Sequence, residues 1–101
     1  MTVSKDNHYL HALRRLIDDY AKGYDVKIYL FGSRAKGTEY KTSDVDIAIL
    51  PLTPLPQGFM AHLKEKIEES TVPYAVDLID LSQVEAEFRK KILAEAIEWK
   101  D

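Results

Sequence analysis

Phe31-Gly32-Ser33-Arg34-Ala35-Lys36-Gly37, followed after five intervening residues by Ser43-Asp44-Val45-Asp46-Ile47-Ala48-Ile49-Leu50, is the stretch that decides the fold. The residues leading into it, Lys27-Ile28-Tyr29-Leu30, continue through Phe31 as an apolar run rich in β-branched and aromatic side chains. This predicts a buried strand over 26–31. Gly32-Ser33 stops the run. Glycine lets the backbone turn sharply and lets a ligand come close. Ser33 can cap a short helical turn, and the free N–H groups at a helix start attract phosphate. Arg34 and Lys36 add positive charge beside it. The second run predicts another strand, from Asp44 to Leu50. Alternation puts Asp44, Asp46 and Ala48 on one face and Val45, Ile47 and Ile49 on the other. The latter face is apolar and belongs to the core; the former presents two carboxylates side by side.

Two carboxylates at that spacing repel each other unless positive charge lies between them. Hard oxygen ligands suit a divalent cation shared with substrate phosphates, and magnesium is the metal they suit best. A phosphate-binding turn beside a carboxylate pair is what metal-assisted phosphoryl or nucleotidyl transfer needs. Taken singly, each residue has a plainer reading: Gly-Ser as a strand-ending turn, Asp44 as a strand flank. The grouping is what those readings leave unexplained.

Gly32-Ser33, ten intervening residues and Asp44-x-Asp46 resemble the signature of the polymerase-β-like nucleotidyltransferase superfamily. The order of elements is similar to that of its smallest members, the minimal nucleotidyltransferases, over nearly all of the chain. The resemblance implies a nucleotide site of Gly32, Ser33, Arg34, Lys36 and Ser43. It also implies catalytic, metal-holding carboxylates at Asp44, Asp46 and Asp77, with two magnesium ions and ATP as substrate. Such proteins are often paired with a small all-helical HEPN-type toxin and act as its antitoxin by adding AMP to a tyrosine. The expected function is therefore transfer of a nucleoside monophosphate to an acceptor hydroxyl. The alternatives are a non-catalytic nucleotide-binding subunit that neutralises its partner by contact, and transfer to a small molecule.

Composition sets bounds on these readings. A chain of 101 residues is expected to be one domain, over 1–101, and its 46% hydrophobic content is enough to build a core. A net charge of −3 argues against broad nucleic-acid binding. With no cysteine, disulfides and thiolate metal sites are excluded. Neither an apolar leader nor a run of membrane-spanning length is present, so a cytoplasmic protein without membrane association is expected.

Along the chain, Ser4 is read as the cap of a helix running to about Lys22, with Tyr9, Leu10, Leu13, Leu16, Ile17 and Tyr20 on its apolar face and Gly23 just past its end. His8 and His11 are read as exposed. Tyr40, in a polar loop over 38–42, is either a base-stacking residue or an ordinary loop aromatic. Pro51, Pro54 and Pro56 interrupt regular structure, and Pro56 opens a helix to about Ser70 with Phe59, Leu63 and Ile67 buried. Tyr74–Asp80 predicts a third strand, Val76 and Leu78 facing one way and Asp77 and Ile79 the other. An acid within an apolar strand needs a reason, so Asp77 is preferred over the strand-end Asp80 as third carboxylate. Ser82 and Glu85 read as a capping box for a last helix with Val84, Phe88, Ile92, Leu93, Ala96 and Ile97 on its apolar face. Arg89, Lys90 and Lys91 lie midway along it, and Trp99 either packs on the core or joins an interface. Exposed apolar helix faces are compatible with a homodimer or a hetero-oligomer. The assembled expectation is an α/β (α+β) fold: a small mixed sheet of about three or more strands backed by helices.

Overall fold

The computed structural model describes residues 5–32 and 45–99. Their elements are α1 (Lys5–Ala21), β1 (Val26–Phe31), β2 (Val45–Pro51), α2 (Phe59–Glu68), β3 (Val76–Asp80), α3 (Ala86–Glu95) and β4 (Ile97–Glu98). The strands form a mixed sheet in the order β3-β2-β1-β4. β1 is antiparallel to β2 and to β4, whereas β2 and β3 are parallel.

Alternation along the strands sorts the side chains onto two faces. Ile28 and Leu30 of β1, Val45, Ile47 and Ile49 of β2, and Val76 of β3 join Leu13 and Ile17 of α1 and Phe59, Leu63 and Ile67 of α2 in the main core. Burial of each such Leu or Ile contributes about 1.5–3 kcal/mol. The opposite face carries Ala48, with Tyr29, Phe31, Leu50 and Ile79 packed around it, and is covered by Leu81 and by Ile92 of α3. Both faces of β2 are thus roofed, which makes it the most buried strand.

The helix ends follow local chemistry. Gly23 takes a positive φ of 92° just past α1, and the Tyr24 N–H donates to the Ala21 carbonyl. His8 and His11 are exposed. Tyr20 donates its hydroxyl to the Phe59 carbonyl at 2.9 Å, tying α1 to the start of α2. Burial, and next the neighbouring Tyr24, hold its phenol above the ordinary value of 10.0.

Several expected boundaries are corrected. Pro56 does not open α2; the helix begins at Phe59, with Gly58 as a left-handed N-cap at φ 83°. That glycine conformation separates the proline segment from the helix. The Ser82/Glu85 capping box does not form either: Glu85 is the N-cap of α3 without a side-chain bond, and Ser82 is engaged by Asp80. Phe88 is 46% exposed rather than buried. Ile97 is not helical: Ala96 is extended at ψ 153°, and Ile97 and Glu98 pair with Leu30 and Tyr29. Trp99 packs against the main core, its backbone N–H donating to the Ile28 carbonyl at 2.7 Å.

Arg89 is no idle surface charge. Its Nε donates to the Leu81 carbonyl at 2.9 Å, and a second nitrogen reaches the Val84 carbonyl at 3.5 Å. One side chain thus fastens α3 to the turn that follows β3. Arg89→Met keeps the aliphatic stem and removes the donors. Charge-assisted bonds contribute about 1.5–3 kcal/mol, so the melting temperature is expected to fall by several degrees, read by thermal denaturation. Among the described residues, no helix is long and apolar enough to cross a membrane.

Candidate active site

The candidate site lies where β1 ends and where β2 and β3 begin. Asp46 is paired with Phe31 on one side and with Asp77 on the other. Residues in register on neighbouring strands, about 4.7–4.9 Å apart, direct their side chains to the same face. Asp46 and Asp77 therefore project together on the face covered by α3. Asp46 is half-buried and Asp77 exposed. Like charges directly opposite one another destabilise a sheet.

Gly32 follows Phe31 at the strand end and turns the chain with φ 78°. A Cβ placed on it would overlap the Asp46 carboxylate oxygen and would lie 3.2 Å from its Cγ. Only a residue without a side chain lets the acid rest against the turn. Sequence reasoning identifies Gly32 as a turn former and gives no sign of this contact, because the contact depends on the β1–β2 register. Two adjacent carboxylates, one held against open backbone, suit a hard divalent cation.

Asp80 occupies a different setting. Its Oδ1 accepts the Ser82 N–H at 2.9 Å and the Ser82 hydroxyl at 2.6 Å, which closes a turn at the far end of β3. It is paired with Ile49, on the face of the main core, away from Asp46. Asp77 is thus the carboxylate beside Asp46, and Asp80 has a local structural task.

Ser33, Arg34, Lys36, Ser43, Asp44 and Tyr40 lie outside the described residues. Among the described residues, no three His, Cys, Asp or Glu side chains gather as a metal site. Asp46 and Asp77 supply two donors, and Asp44 is two positions from Asp46 in the sequence.

A glycine turn closing one strand, an acid of the next strand resting on it and a second acid in parallel register define a nucleotidyltransferase core. The chain belongs to that family: residues 16–98 match the model for polymerase beta-type nucleotidyltransferases. It is similar to a probable protein adenylyltransferase, MntA, of Haemophilus influenzae, 39% identical over 79% of this chain and 65% of the relative. It also resembles the protein adenylyltransferase MntA of Shewanella oneidensis, 43% identical over 54% of this chain and 38% of the relative. The chain thus spans less than two thirds of the length of either. Among solved structures, a toxin–antitoxin crystallised with AMP-PNP superposes with a TM-score of 0.68 at 27% identity, covering 86% of this chain and 72% of that one.

Proposed function

We propose that this chain transfers AMP from ATP to a tyrosine hydroxyl of a small, all-helical HEPN-type partner in the cytoplasm, and that it acts in this way as an antitoxin. The observation that carries the proposal is the in-register pair Asp46 and Asp77 beside the Gly32 turn. Two kinds of comparison support it: the relatives named as protein adenylyltransferases and the toxin–antitoxin structure with a bound ATP analogue.

In this reading the backbone N–H groups after Gly32 and the Ser33 hydroxyl hold the terminal phosphates, with Arg34, Lys36 and Ser43 helping to neutralise and orient them. Asp44, Asp46 and Asp77 are the residues that would hold two magnesium ions. When bound, magnesium offsets phosphate charge and lowers the pKa of the attacking hydroxyl. Asp77, exposed at the sheet margin, takes the phenolic proton. The tyrosine oxygen forms a bond to the α-phosphorus, the bond from that phosphorus to the bridging oxygen breaks, and pyrophosphate leaves with the electron pair. No covalent enzyme intermediate is needed.

The experiment compares Asp77→Ala with Asp80→Ala in a transfer assay using α-labelled ATP, magnesium and a HEPN-type protein partner. Asp77→Ala is expected to lower the rate by about 10²–10⁴-fold, the range for loss of a positioned general base. Asp80→Ala is expected to keep transfer within about threefold while losing about 1 kcal/mol of stability with its turn bonds. The reverse ranking would overturn the assignment.

A further inference from the structure

We infer that the partner presents its acceptor as an extended segment laid along the open edge of β3, with its tyrosine brought to Asp77. This rests on the adenylyl-transfer reading above and specifies how the macromolecular substrate is held. β3 is the outermost strand on its side of the sheet among the described residues. Val45 donates its N–H to the Ala75 carbonyl at 3.0 Å, and Leu81 donates to the Ile49 carbonyl at 2.8 Å. In a parallel ladder these two bonds fix the alternation: residues 75, 77, 79 and 81 bond to β2. Val76 and Leu78 turn their N–H and C=O groups to the other side. A row of such groups is a template for one more strand.

The ground beside this edge is already shaped. A cavity of about 380 Å³ lies between β3 and α2, lined by Lys64, Glu68, Val72, Pro73, Tyr74 and Asp77 among others. Asp77 lines this cavity at the strand margin while its side chain turns with Asp46 to the other face of the sheet, so the open edge of β3 runs between the cavity and the candidate active site. The chemistry selects the occupant. Outward main-chain donors and acceptors match an extended polypeptide, whose alternate side chains enter pockets while its backbone adds to the sheet. The Glu68 carboxylate disfavours a second nucleotide there, whereas Lys64 and Glu68 together suit a peptide carrying both charges. A residue of the added strand opposite Asp77 sends its side chain to the face that carries Asp46 and Asp77.

The test is amide hydrogen exchange by NMR on the full chain, free and in complex with a HEPN-type protein partner, with α-label transfer measured in parallel. Slowed exchange of the Val76 and Leu78 amides in the complex is expected. Transfer without protection at those amides overturns the edge, and absence of transfer overturns the functional reading on which it rests. A second arm uses Lys64→Trp, an exposed substitution that fills the cavity from α2. It is expected to raise the partner KM about tenfold with kcat and the KM for ATP unchanged, the pattern of lost uniform binding. An unchanged partner KM contradicts the proposal.

Discussion

Asp46→Asn is expected to lower kcat for nucleotidyl transfer by about a thousandfold, roughly 4 kcal/mol of lost transition-state stabilisation, the size expected when a charged group of an electrostatic site is removed. The substitution is nearly isosteric and leaves the register of β1, β2 and β3 untouched. Asp46 is the hub of the described site, since it touches the Gly32 turn and stands in register with Asp77. Stability is expected to change far less than activity. A melting temperature that holds or rises while activity collapses identifies Asp46 as a residue kept for chemistry. Collapse of both together would make it a structural residue instead.

The second large effect belongs to Gly32→Ala, and it has two separable parts. The positive φ of 78° strains any side chain, at about 1–3 kcal/mol. The added Cβ also meets the Asp46 carboxylate, which must move aside. A displacement of about 1 Å in a catalytic group can lower the rate about a hundredfold. Gly23→Ala separates the parts. Gly23 has a φ of 92°, but nothing lies within 4 Å of its Cβ position. It is expected to lose a similar amount of stability and to keep full activity. Denaturant titration and steady-state kinetics on both variants check this. Equal losses of activity would show that backbone strain alone matters.

Much of this architecture is legible in the sequence because the decisive signals are local. The alternation of Val45, Ile47 and Ile49 against Asp46 and Ala48 assigns β2 and its faces, and the same period in Val76-Asp77-Leu78-Ile79 points Asp77 to the side that carries Asp46. The strong stripe of Leu13 and Ile17 fixes α1. What the sequence hides depends on distant partners. Ile97 continues the apolar pattern of α3, and only the free edge of β1 draws it into a strand. Ser82 and Glu85 have the spacing of a cap, but Asp80 lies two residues before Ser82 and captures its hydroxyl first. The contact between Gly32 and Asp46 joins residues on two strands and has no one-dimensional signature. The fold side of the resemblance is met by the mixed sheet and by the family match over 16–98. Of the candidate site, Gly32, Asp46 and Asp77 are brought together, and Ser33, Arg34, Lys36, Ser43 and Asp44 lie outside the described residues.

The central claim is that this site moves a nucleoside monophosphate, and one paired measurement tests it most directly. The chain is incubated with magnesium and a HEPN-type protein, the partner proposed above, once with α-labelled ATP and once with γ-labelled ATP. Label on a partner tyrosine from the α-phosphate, with the γ-label recovered in pyrophosphate, is the predicted result. Label from the γ-phosphate, or neutralisation of the partner with no label from either, would contradict it.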